Sequence, residues 1–214
     1  MGSSGGEHEM SKQPAIGRAP HRWQVTPKRA VAIQRELAQR VRLARAPVPE
    51  RIVGLDCAFL GSDILAVAVV WHVGDARVVE TRGARLPLRF PYVPGLLSFR
   101  EVPVLLAVLK RLRSSFDAVM CDGQGVAHPR RFGLASHLGV ILEMPSLGCA
   151  KSKLCGEHQD VGGARGSRAQ LRHRNETIGL VLRTRADVRP VYVSAGHLCT
   201  HANAAGWVLA CGAG

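Results

Sequence analysis

Three carboxylates stand where stability alone would not put them. Asp56 interrupts the apolar run IVGLDCAF, Asp122 ends the apolar run AVMCD just ahead of Gly123, and Glu101 falls in the first turn of an expected helix. A carboxylate carried on a buried strand costs several kcal/mol unless it is paired or bound to a cation. Two such groups brought together repel, and a divalent cation resolves the repulsion. Hard oxygen donors, without Cys or His at ligand spacing, favour Mg²⁺ or Mn²⁺ over softer metals. Each residue also has a plainer reading. Asp56 can accept from backbone N–H groups, Asp122 can serve as a turn residue, and Ser98-Phe-Arg-Glu101 has the form of a capping box. Taken together, the three point to metal-assisted chemistry.

The elements that must position these groups follow from pattern. Thr26-Pro27 reads as an N-cap followed by proline at the first helical position. Ala30, Ile33, Leu37, Val41 and Ala44 recur at spacings of three and four, which predicts an amphipathic helix over 28–44 with an arginine-rich outer face, ended by Pro47 and Pro49. Strand-like runs over 52–59, 64–72 and 77–85 are separated by Gly61-Ser62 and Gly74-Asp75, an antiparallel meander. A proline-punctuated loop over 87–95 leads into a helix over 98–113. A short strand over 118–121 stops at Asp122-Gly123, and a Gly- and His-rich stretch runs on to His137. An apolar segment over 138–142 and a strand over 146–150 follow. Residues 155–176 are polar and basic and read as a loop excursion, ahead of strands over 178–183 and 190–193 and a helix over 200–211. The order β-β-β-α-β-α-β predicts an α/β protein of the ribonuclease H-like kind. Its mixed sheet has three antiparallel strands and then parallel ones, is flanked by helices, and sets the first and fourth strands side by side at its centre.

Composition narrows the partner. The 214 residues carry 29 Lys and Arg against 16 Asp and Glu, a formal net charge of +13, with 46% hydrophobic residues. Such a chain can bury a core and is not a disordered basic tail. The charge is uneven: residues 51–150 hold eleven basic and eight acidic side chains, whereas the flanks hold nine against four at each end. A near-balanced middle between basic ends suits a core with acidic chemistry and surfaces that hold phosphates. No apolar run approaches the roughly 18 residues of a membrane span, and the start MGSSGGEHEM lacks the apolar stretch of a signal peptide, so a cytoplasmic location is expected. The six cysteines form no CxxC pair and read as free thiols. Residues 1–20, rich in Gly, Ser and Pro, read as a disordered tail before a single domain over 21–214.

The segments PYVPGLLSFRE (91–101), CDGQGVAHPRRFGLASHLGV (121–140) and GCAKSKLCG (148–156), with GLDCAF (54–59) and VYVSAGH (191–197), resemble the endonuclease V family of deoxyinosine-directed repair nucleases. The resemblance runs from about Trp23 to Trp207. It implies that Asp56, Asp122 and Glu101 bind Mg²⁺, with Mn²⁺ as a substitute, and that His128 and Lys151 lie close to the scissile phosphate. It further implies that Tyr92, held with Val93 between Pro91 and Pro94, is a wedge that fills the gap left by an unstacked base. The flipped base would be read by backbone groups near Leu97, Gly123 and Gly133. The implied activity is recognition of deoxyinosine in double- or single-stranded DNA by a monomer, with hydrolysis of the second phosphodiester bond on its 3′ side. Inosine-containing RNA is the variant substrate. Family members continue into a Leu-Pro-Glu-Pro-Thr-Arg segment whose following helix supplies a further polar residue, and neither His197 nor His201 is its equivalent. The sequence stops at Gly214, short of that segment, so a catalytically weakened nucleic-acid-binding protein is the alternative.

Overall fold

Helix α1 (Pro27–Ala38) starts as expected, with Thr26 Oγ1 accepting from the Arg29 N–H at 3.3 Å and proline in the first turn. It ends short of residue 44. Gln39 and Arg40 tighten the last turn by donating to Glu36 and Leu37 carbonyls. The chain then leaves the helix so that the Arg42 N–H can bond His197 Nδ1 and its carbonyl can accept from Leu198. A computed structural model describes residues 16–212, so most of the expected tail lies outside the described residues. Ile16 and Ala19 pack against the main core. His21 reaches the fully buried His137, ring nitrogen to ring nitrogen at 2.8 Å, and His137 Nδ1 bonds Ser98 Oγ at 2.9 Å.

The strands are β1 (Arg51–Leu60), β2 (Asp63–His72), β3 (Arg77–Pro87), β4 (Ala118–Cys121), β5 (Ser146–Ala150), β6 (Arg168–His173), β7 (Glu176–Leu182) and β8 (Val191–His197). They form one eight-stranded sheet in the order β3-β2-β1-β4-β5-β8-β7-β6. The sheet is mixed, and β1 and β4 are neighbours as the element order predicts. Parallel pairing is confined to β1, β4 and β5, and the last three strands return antiparallel. The stretch read as a loop over 155–176 contains β6. Its residues alternate between exposed and inward positions, but only Leu171 is buried, so the strand is hidden in a stretch that reads as polar and basic. Its hairpin to β7 turns on Arg174 and Asn175, both in the left-handed region (φ 53° and 65°), without the glycine that usually signals such a turn. On its outer side β6 carries one isolated bridge, between Arg172 and Glu157.

Side chains alternate along β1, so the sheet buries both faces. Val53 and Leu55 pack with Val102 and Leu105 of α2 (Leu97–Leu109) and Leu138 of α3 (Leu134–Leu142). Ile52 faces the other way, with Ala118, Leu147 and Val193, onto Trp207 of α4 (His201–Cys211). A smaller core joins Ala30, Ile33 and Leu37 of α1 to Phe90, Leu96, Phe99 and Phe132, directly beneath the proline-rich loop. Helix α2 ends at Leu109, before the expected residue 113, with Lys110 as its C-cap. All six cysteines are free thiols. No helix among the described residues is long and apolar enough to cross a membrane.

Candidate active site

The strand register assembles the carboxylates. Pairing of β1 with β4 ends at Leu55 opposite Cys121, so the next position on each strand is Asp56 and Asp122. The Asp122 N–H donates to the Leu55 carbonyl at 3.0 Å, which fixes Asp122, just past the C-terminal end of β4, beside Asp56 in the middle of the longer parallel neighbour β1. Such strand ends are where α/β sheets place their sites. Because β4 stops there, Asp56 is exposed rather than buried, which corrects the expectation drawn from its apolar run. Its Oδ1 accepts from the Cys57 N–H at 2.8 Å.

Glu101 is the buried acid of the three, 7% exposed. It is not part of a capping box: the N-cap of α2 is Leu96, without a side-chain bond, and Ser98 is spent on His137. Burial, and then the charges of Asp56 and Asp122, push the Glu101 carboxyl up to about 8, against a smaller opposing effect of Arg100. Three carboxylates thus press on one another without enough positive charge among them. Lys151, at the end of β5, supplies part of it, with Nζ 2.6 Å from Asp122 Oδ2 and its side chain 80% exposed. That contact draws the Lys151 ammonium pKa upward. No group of three His, Cys, Asp or Glu among the described residues is arranged as it stands to hold an ion. In donor chemistry the set nonetheless fits a hard divalent cation: it is all oxygen, and its excess negative charge already raises one member's pKa.

Beside Asp122 lies a cavity of about 440 Å³. It is lined by Tyr92, Val93 and Pro94 of the proline loop, by Leu97, Gly123, Gly133 and Asp122, and by His128 and Lys151. Every residue expected at the base pocket is therefore on one concave surface with Asp122. Pro91 is outside the lining, as are Asp56 and Glu101, which belong to the adjoining acidic end of the sheet. Tyr92 is 74% exposed, with the Arg100 guanidinium 5.7 Å from its ring centre. The glycines of this region are required by close approach. A Cβ on Gly133 would lie 2.3 Å from the Gln124 carbonyl oxygen, and one on Gly148 would lie 2.3 Å from that of Gly123.

His128, expected to face phosphate or water, is spent otherwise. It is 3% exposed, its Nδ1 accepts from the Arg130 N–H at 3.1 Å, and its Nε2–H donates to the Gly95 carbonyl at 3.0 Å. Burial, with Arg130 next, pulls its pKa down to about 4, so the ring is neutral. Cavity residues that sequence reasoning missed include Gln34, Gln124, Lys153 and Leu154. Gln34 did carry a signal: it is a polar residue on the apolar face of α1, next to Ile33 and one turn from Leu37.

This sheet order, with adjacent acids on its central parallel strands where β4 stops, defines a ribonuclease H-like nuclease, a hydrolase of nucleic acids. Comparison with known proteins narrows the class, since the family profile described as Endonuclease V matches residues 35–214. The chain belongs to the endonuclease V family. The endonuclease V of Methanothrix thermoacetophila is 47% identical over 197 residues, covering 92% of this chain and 88% of the relative. The crystal structure of endonuclease V from Streptomyces avermitilis superposes with a TM-score of 0.85 at 42% identity, covering 91% of this chain and 88% of that one. The Ciona intestinalis enzyme, of the same fold at a TM-score of 0.74 and 23% identity over 86% of this chain and 89% of that one, was solved with a 24mer DNA containing an inosine followed by a ribo-adenosine.

Proposed function

We propose that this endonuclease recognises deoxyinosine in DNA and, with Mg²⁺ or Mn²⁺, hydrolyses the second phosphodiester bond on its 3′ side. The observation that carries the reading is the cavity, which joins an exposed aromatic ring on a proline-flanked loop to Asp122 and Lys151. A base inside a duplex cannot be inspected without being unstacked, at a cost of a few kcal/mol. Tyr92 can occupy the vacated place in the stack, while the displaced base enters the cavity between Leu97, Gly123 and Gly133. Its volume lies within the ordinary range of small-molecule sites. Lys151 neutralises a phosphate oxygen of the backbone that follows and so leaves Asp122 free to act as a ligand. Asp56, Asp122 and Glu101 would hold the divalent cation, which supplies an activated water and stabilises charge on the leaving 3′ oxygen. Inosine is also the base in the DNA bound by the Ciona relative.

The test is nicking of a duplex with a single deoxyinosine in Mg²⁺ or Mn²⁺, beside the same duplex without it and an inosine-containing RNA. Asp122→Ala should abolish nicking while retaining binding. Binding without nicking, unchanged by Asp56→Ala, would sink the enzymatic reading. Faster cleavage of the RNA would move the substrate to the ribonuclease variant.

A further inference from the structure

The Gly95 carbonyl, the first acceptor after Pro91-Tyr92-Val93-Pro94, is held from three sides. Gln34 Nε2 donates to it at 3.0 Å, His128 Nε2 at 3.0 Å and Arg130 Nη2 at 2.7 Å. A carbonyl has two lone pairs, so three donors on one oxygen is a concentration of hydrogen bonding that a surface loop does not need for folding. The donors are themselves locked together. Arg130 Nε donates to Gln34 Oε1 at 2.6 Å, the Arg130 N–H donates to His128 Nδ1, and Gln34 Nε2 also reaches the Phe132 carbonyl at 3.2 Å. Gly95 has φ +77°, and a Cβ there would lie 2.7 Å from Arg130 Nη2, so glycine is what lets the guanidinium close on its carbonyl.

Gln34 makes the arrangement telling. It is 1% exposed on the face of α1 that otherwise carries Ala30, Ile33 and Leu37. An apolar residue of similar volume would pack there without the cost of burying an amide. A fully satisfied buried amide in such a place serves geometry rather than stability. Resting on the reading above that Tyr92 is the wedge, we infer that Gln34 and Arg130, with His128, clamp the Gly95 carbonyl and hold the wedge loop in its inserting shape before nucleic acid arrives. They act through Tyr92 and touch no reacting atom, so they are positioning residues for lesion discrimination. Preformed loops bind without a large ordering cost, and a loosened wedge would lose preference for the lesion more than affinity for the duplex.

The test uses the full chain and two variants. Gln34→Met keeps the volume and removes both polar ends, and Gln34→Glu keeps an acceptor for Arg130 but cannot donate to Gly95. Hydrogen exchange of peptides covering 91–96 should speed up about tenfold in both, the equivalent of one buried hydrogen bond, with α2 unchanged. On deoxyinosine duplex, kcat/KM should fall by about tenfold while lesion-free binding stays within about twofold, and in a Tyr92→Ala background Gln34→Met should change nicking by no more than about twofold. Unchanged exchange of 91–96 in the Met variant overturns the clamp whatever the nuclease activity. Equal losses with and without Tyr92 overturn the claim that the clamp acts through the wedge. If the wild-type chain fails to nick deoxyinosine DNA, the functional reading falls, and the exchange measurement still decides the clamp.

Discussion

Acidification should loosen this protein through His128 in particular. The folded ring keeps Nδ1 bare to accept the Arg130 N–H and places Nε2–H on the Gly95 carbonyl, so a second proton would set N–H against N–H. An imidazole in an unfolded chain titrates near 6.5, whereas burial and the neighbouring Arg130 hold the folded one at about 4. The folded state therefore binds the proton more weakly. The stability that this residue contributes is complete above pH 6.5 and drains as pH falls towards 4. At about 1.4 kcal/mol per pH unit between the two values, the loss amounts to roughly 3 kcal/mol. With the side chain 3% exposed, solvent screening takes little from that figure. The matched perturbation is His128→Gln, which can hydrogen bond but cannot titrate. Urea denaturation followed by tryptophan fluorescence, at half-unit steps from pH 7.5 to 4, should show wild type losing about 3 kcal/mol more than the variant. The other buried histidines are common to both proteins and cancel. A wild-type-minus-variant difference that stays flat across this range would refute the argument, because the Arg130 N–H to Nδ1 hydrogen bond cannot survive protonation of the ring.

Three further outcomes follow from geometry described above. Tyr92→Ala should reduce the preference for deoxyinosine over undamaged duplex by about tenfold or more, in line with 1–3 kcal/mol per base–aromatic stack, as measured by paired nicking and binding assays. Lys151→Ala should weaken nucleic-acid binding and make the slope of log K against log salt shallower by about one phosphate contact, roughly 0.9 in fluorescence-anisotropy titrations. Gly148→Ala should cost about 3 kcal/mol of stability, read as a fall in Tm, because a Cβ there meets the Gly123 carbonyl oxygen at 2.3 Å and the Gly125 nitrogen at 2.6 Å, main-chain atoms that cannot rotate away as a side chain can.

The meander and the central strands were legible because turn residues bound them. Gly61, Gly74 and the Asp122-Gly123 pair punctuate runs of β-branched and aliphatic residues, and β4 and β5 fall on residues 118–121 and 146–150 as read. The adjacency of Asp56 and Asp122 was legible too, since it needs only the first and fourth strands to be parallel neighbours. What pattern could not deliver was which acid pays for burial. The apolar letters around Asp56 suggested that residue, but β4 ends at Cys121, so Asp56 opens to solvent and the desolvation falls on Glu101 beneath the end of the sheet. Strand β6 escaped because it buries a single leucine and turns without glycine. The place of His128 escaped because its partners, Gly95 and the Arg130 backbone, are set by loop geometry that no spacing encodes.

The sheet also has to end somewhere, and its two outermost strands are finished differently. A bare strand edge is a template on which another chain can add. On β6 the edge is stoppered: Glu157 and Arg172 exchange both backbone hydrogen bonds at 2.8 Å, leaving no uninterrupted row of free groups. On β3 the α2–β4 connection leans across, with Arg111 Nη1 taking the Gly83 carbonyl at 2.7 Å and the Arg113 and Ser114 N–H groups taking the Glu80 carboxylate. Side chains and one short detour of the chain thus close both rims of an eight-stranded sheet, and the polar stretch around Glu157 earns its length as a guard against uncontrolled growth of the sheet by edge-to-edge stacking of copies.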